Sequence, residues 1–120
     1  MENSERRIER RFLCADVVHL TCMESRRVRT LEAMLEDISP VGACLQIEED
    51  VPLGTEVALT SGDRNLYGVI SYCVYRDYGY FVGIHFCDDT HWSRKVFEPD
   101  HLISIETLVK QQKETGRRLM

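Results

Sequence analysis

"LYGVISYCVYRDYGYFVGIHF", Leu66 to Phe86, decides how the rest of the chain is read. Two apolar stretches flank the turn-forming run Arg76-Asp77-Tyr78-Gly79, and that arrangement predicts a β-hairpin. On its second arm Val82, Ile84 and Phe86 fall on one face at a spacing of two, the period of a half-buried strand. The same period recurs upstream. Val18, Leu20 and Cys22 share a face in "ADVVHLTC", Leu31, Ala33 and Leu35 in "TLEAMLEDI", and Ala43, Leu45 and Ile47 in "GACLQIEE". A Pro/Gly turn in "DVPLGTEVALT" then introduces a further short strand. Six strands at near-regular spacing predict an all-β domain, a six-stranded antiparallel β-barrel over residues 12–90.

The period changes after Pro99. In "PDHLISIETLVKQQKETG" Asp100 suits an N-cap, Leu102, Ile105, Leu108 and Val109 recur at helical spacing, and Gly116 suits a stop. A C-terminal helix over residues 99–116 is therefore expected, either plugging or flanking the barrel or pairing with a second copy. The basic end, Arg117-Arg118-Leu119-Met120, is either a docking segment or a frayed tail. With no interior linker, residues 1–120 read as one domain.

Composition narrows the function. The 120 residues carry a formal charge of −5 with 43% hydrophobic and 29% charged residues, ordinary values for a chain that folds alone. An acidic balance argues against a nucleic acid polymer as partner, which demands a broad basic face. No apolar run is long enough to insert in a membrane and the first residues are polar, so a cytoplasmic location is expected. Five cysteines, an odd number without a C-x-x-C pair, fit reduced thiols better than a disulfide framework. Neither they nor His19, His85, His91 and His101 show metal-ligand spacing or a Cys-His arrangement for catalysis. No enzymatic activity, no metal and no cofactor are expected. Trp92 and Tyr72, Tyr75, Tyr78 and Tyr80 read as core and hairpin packing.

Against that acidic background the segment "RRIERRF", Arg6 to Phe12, stands out with four arginines directly before the first strand. Residues 1–11 read as a flexible basic N-terminal arm. A guanidinium is a planar fork of donors suited to a phosphate or to the O6/N7 edge of guanine. About thirty residues on, Asp37-Ile38-Ser39-Pro40-Val41-Gly42 forms D-x-S-x-x-G at the turn between the second and third strands. A carboxylate there can accept the N–H groups of a guanine, and the serine can bond a phosphate or ribose oxygen. Pro40 fixes the turn, and Gly42 is read as supplying a positive φ or a close ligand approach.

Together, Arg6-Arg7-x-x-x-Arg11 and D-x-S-x-x-G resemble the signature of the PilZ-domain family, bacterial receptors for the second messenger cyclic di-GMP. "YFVGIHF" is similar to the apolar-Gly-x-x-Phe strand that closes the family's barrel, and the resemblance covers roughly residues 6–110. It implies a nucleotide clamped between the arm and the turn, with Arg6, Arg7, Arg11, Asp37, Ser39 and Gly42 as ligand-binding residues. A basic residue at Arg6, directly before the first motif arginine, implies two intercalated ligand molecules. Arg10 is extra to the pattern. The signal would pass to an effector protein by contact, the chain being a monomer or homodimer. The alternative is a degenerate PilZ-like adaptor that binds a protein partner without nucleotide. "RRVR", Arg26 to Arg29, reads as an exposed hairpin loop.

Overall fold

Alternation of apolar and polar residues resolves into seven strands in a computed structural model that describes residues 11–104. They are β1 (Phe12–Glu24), β2 (Arg27–Ser39), β3 (Gly42–Ile47), β4 (Glu56–Ser61), β5 (Arg64–Arg76), β6 (Gly79–Phe86) and β7 (Ile103–Ser104). Every pairing is antiparallel, in the order β1-β2-β3-β6-β5-β4, and β4 returns to β1 through Glu56–Thr60 against Met23–His19. The sheet thus closes into a six-stranded barrel without an edge along its seam, which leaves one enclosed interior.

The inward positions are those the period of two selects. Val18, Leu20, Leu35, Leu45, Ile47 and Val82 are all at most 2% exposed. Each such side chain contributes about 1.5–3 kcal/mol on leaving water. Short turns fix the register. Asp77, at φ 61°, opens the two-residue turn of the β5–β6 hairpin, where Arg76 pairs with Gly79. "RRVR" is split: Arg26 sits in the β1–β2 turn, whereas Arg27 to Arg29 belong to β2. Arg29 is committed there, bonding the carboxylates of Glu24 at 2.5 Å and Glu49 at 2.6 Å and the Asp50 carbonyl at 2.7 Å.

Beyond β6 the chain folds across one rim of the barrel. Trp92 is buried there, edge-on to Phe12 at 5.5 Å between ring centres, and its indole N–H donates to the Phe97 carbonyl. Trp92 is thus core packing, as its composition class suggested.

The expected helix is corrected over its first residues. Residues 99–104 form a turn, with His101 at φ 59°, followed by β7, which pairs with Phe12 and Leu13. The reason lies in β1. Strand β4 covers only His19–Met23, so the first half of β1 has backbone groups to satisfy, and Ile103–Ser104 together with the Asp100 carbonyl, bonded by Ala15 N–H at 3.0 Å, satisfy them. The left-handed His101 is incompatible with a continuous helix at that point. Residues 105–116 of the expected helix lie outside the described residues, as does the arm before Arg11.

Candidate functional site

Two β-bulges build the outer face on which Asp37 lies. Strict alternation from inward Leu35 would turn Asp37 into the core. Strand β2 instead carries an extra residue, Glu36, between the pairs Leu35–Leu45 and Asp37–Cys44. The insertion reverses the alternation, so Asp37 faces outward and Ile38, fully buried, faces inward. Strand β5 does the same at Ser71, between Ile70–Ile84 and Tyr72–Gly83. Tyr72 is thereby placed outside.

The registers then align Asp37, Cys44, Gly83 and Tyr72 in one row across β2, β3, β6 and β5. At the head of the row the Arg11 guanidinium donates to the Asp37 carboxylate at 2.9 Å, with side chains 47% and 18% exposed. At its foot the Tyr72 ring lies against Gly83, in space that any Cβ there would need. Tyr72 remains 43% exposed. Burial pushes its hydroxyl's pKa up, and the neighbouring Cys44 thiol adds to the shift. The Cys44 thiol is also raised by burial, opposed by the neighbouring Tyr72 hydroxyl.

The turn residues are held by their neighbours. Ser39 is 9% exposed; its hydroxyl accepts the Val41 N–H at 3.3 Å and donates to the Gly42 carbonyl at 3.4 Å. Pro40 and Val41 form the turn proper, and their carbonyls accept the N–H groups of Trp92 at 3.1 Å and Phe86 at 2.8 Å. The rim segment therefore pins the D-x-S-x-x-G turn. Gly42 does not take a positive φ. Its constraint is spatial: a Cβ would stand 2.5 Å from the Ile84 carbonyl oxygen of the neighbouring strand. The group that approaches this glycine in the structure is the β6 backbone, whereas the approach expected from the sequence was that of a ligand.

Of the six residues singled out in the sequence, the structure brings together Arg11 and Asp37, and sets Ser39 and Gly42 at the two ends of the adjoining turn. Arg6 and Arg7 lie outside the described residues. Tyr72 and Cys44 join the row without having been singled out as site residues. A glycine in mid-strand is the sequence signal for Tyr72, because it marks a place where another group packs onto the backbone.

Chemically the row offers a cation, a carboxylate and an exposed aromatic ring within one sheet face. That set can hold a planar, anionic, hydrogen-bonding ligand. Elsewhere in the barrel burial raises the pKa of the Cys14 thiol to about 12, and it raises those of Cys22, Cys44 and Cys73 as well. These four thiols keep their protons at neutral pH. Among the described residues no group of three or more His, Cys, Asp or Glu could hold a metal ion, and no helix is long and apolar enough to cross a membrane.

No family model, no curated protein and no solved structure matches the chain.

Proposed function

We propose that the chain is a PilZ-like receptor for cyclic di-GMP, acting in bacterial second-messenger signalling. The observation that carries the reading is the Arg11–Asp37 contact. The last arginine of R-R-x-x-x-R and the first residue of D-x-S-x-x-G, 26 positions apart, bond each other on an outward face. Two motifs that meet in space can act on one ligand.

In this reading the arginines of the arm, Arg6, Arg7 and Arg11, take phosphate oxygens and the Hoogsteen edge of guanine as forks. Asp37 accepts from the guanine N–H groups, exchanging part of its bond with Arg11 for the ligand. Ser39 bonds a phosphate or ribose oxygen once its hydroxyl rotates from the Gly42 carbonyl. Gly42 keeps the turn tight against β6, and Tyr72 offers a face to a base. The ligand's two phosphates neutralise the arm and order it against the barrel, a change that a partner protein reads. The chain is then a receptor without catalysis, cytoplasmic, a monomer or homodimer, and Arg6 favours two stacked ligand molecules. Ordering the arm costs part of the contact energy, so binding of about −8 to −9 kcal/mol is expected.

Isothermal titration with cyclic di-GMP, beside Arg11→Ala and with GTP as competitor, tests the reading. Saturable micromolar binding that the substitution removes supports it, and a ratio near two supports the stacked pair. Absence of heat and of thermal stabilisation at high ligand leaves the adaptor that binds protein alone.

A further inference from the structure

A concavity lies on the barrel apart from Arg11, Asp37, Ser39 and Gly42. Strand β2 begins at Arg27, but β3 pairs with it only from Met34 to Ser39. Among the described residues, β2 from Arg27 to Ala33 therefore has β1 on one side and no strand on the other. In an antiparallel pair every second residue turns its N–H and C=O away from its partner, so this stretch presents unpaired backbone groups. A cleft of about 390 Å³ opens beside it, lined by the apolar Val17 and Met34, by Glu32, Glu48 and Glu49, and by Tyr78 from the β5–β6 turn. Val17 is 54% exposed and Tyr78 89%.

The charge is one-sided. Three of the lining residues are glutamates, and none is a lysine or arginine. Glu49 is partly neutralised, since Arg29 holds it at 2.6 Å and closes that end of the edge. Glu32 and Glu48 are in no ion pair among the described residues.

We infer that this cleft is a docking site for an extended cationic segment of a partner protein, added as a short strand to the open edge of β2. Main-chain bonds to the edge supply affinity. Lysine or arginine side chains meet Glu32 and Glu48, and an intervening apolar side chain lies on Val17 and Met34. Nucleic acid is disfavoured, because phosphates would face the glutamates. A two-fold dimer through the cleft would set glutamate against glutamate. The inference stands apart from the nucleotide reading, since it uses none of the same residues.

The test uses the full chain without nucleotide, followed by amide NMR during titration with the capped peptide Lys-Val-Lys-Thr-Lys-Val-Lys. Its charge-reversed counterpart, Glu-Val-Glu-Thr-Glu-Val-Glu, is the control. Expected are saturable shifts at Thr30 to Met34, Glu48 and Tyr78–Gly79, no response to the acidic peptide, and at least about tenfold weaker binding in Glu32→Lys/Glu48→Lys. Both substituted residues are exposed, so the fold should survive, and Tyr78→Ser provides a second variant outside the charged rim. No shift at millimolar peptide, or equal binding of both peptides, overturns the proposal. If deleting Arg117 to Met120 itself shifts the same amides, the occupant is the chain's own basic segment and the partner-protein assignment fails.

Discussion

Arg11 and Asp37 stand 2.9 Å apart because Leu13 and Asp37 are register partners, which sets the residue before β1 alongside the end of β2. The pair is exposed enough for water to compete with it. An ion pair of that kind contributes about 0–1 kcal/mol to stability. Arg11→Ala should therefore leave the urea midpoint nearly unchanged while removing most binding of cyclic di-GMP. A variant that unfolds would make Arg11 a structural residue.

Asp37→Ala should act differently from Arg11→Ala. It removes an acceptor for guanine but also frees Arg11 for phosphate, so the loss in titration should be smaller, about 1–3 kcal/mol. Tyr72→Ala should cost about as much if a base stacks on the ring. Unchanged affinity in the Tyr72 variant would exclude the ring from the ligand's surroundings.

Two mid-sheet glycines should respond unequally to alanine. At Gly42 the obstructing group is the Ile84 carbonyl, a backbone atom that cannot swing aside. At Gly83 it is the Tyr72 ring, a half-exposed side chain that can. Gly42→Ala should lower stability by about 2–3 kcal/mol and Gly83→Ala by about 1 kcal/mol or less. Denaturant unfolding of the two variants measures the difference, and equal losses would mean that the Tyr72 ring is fixed.

Alkaline pH should weaken the fold through Cys14. Its thiol is raised from 9.0 to about 12, first by burial and then by Asp37, Asp16 and Glu36. The unfolded chain releases this proton near pH 9 while the native state keeps it. Stability present below pH 9 is thus lost progressively as pH climbs toward 12. Cys22, Cys44 and Cys73 act in the same direction. In reductant, Cys14→Ala should reduce the slope of unfolding free energy against pH by about one proton over that window. An unaltered slope would assign the alkaline loss to other groups.

The barrel was legible in the sequence because its strands bury one face, and the runs Val18-Leu20-Cys22 and Ala43-Leu45-Ile47 keep perfect alternation. The bulges were not. An extra residue at Glu36 or Ser71 looks like any other strand residue, yet it decides that Asp37 and Tyr72 point outward. The D-x-S-x-x-G motif located the turn without showing that Gly42 answers to β6. The helical spacing from Leu102 onward competed with the unsatisfied edge of β1, and over residues 99–104 the edge won. Tyr72 was read as packing and not as part of a site, because its partner, Gly83, lies across a pairing that period alone does not align.

The pairing of β7 with Phe12 and Leu13 also gives the molecule a direction. Phe12 and Ser104 stand side by side at one rim, with Trp92 and the Ser39–Gly42 turn. The cleft at Glu48 and Tyr78 lies toward the other end. A bulky group attached at residue 12 or 104 would crowd that rim and leave the opposite one open to the medium. The arrangement is that of a lamp mounted by its base.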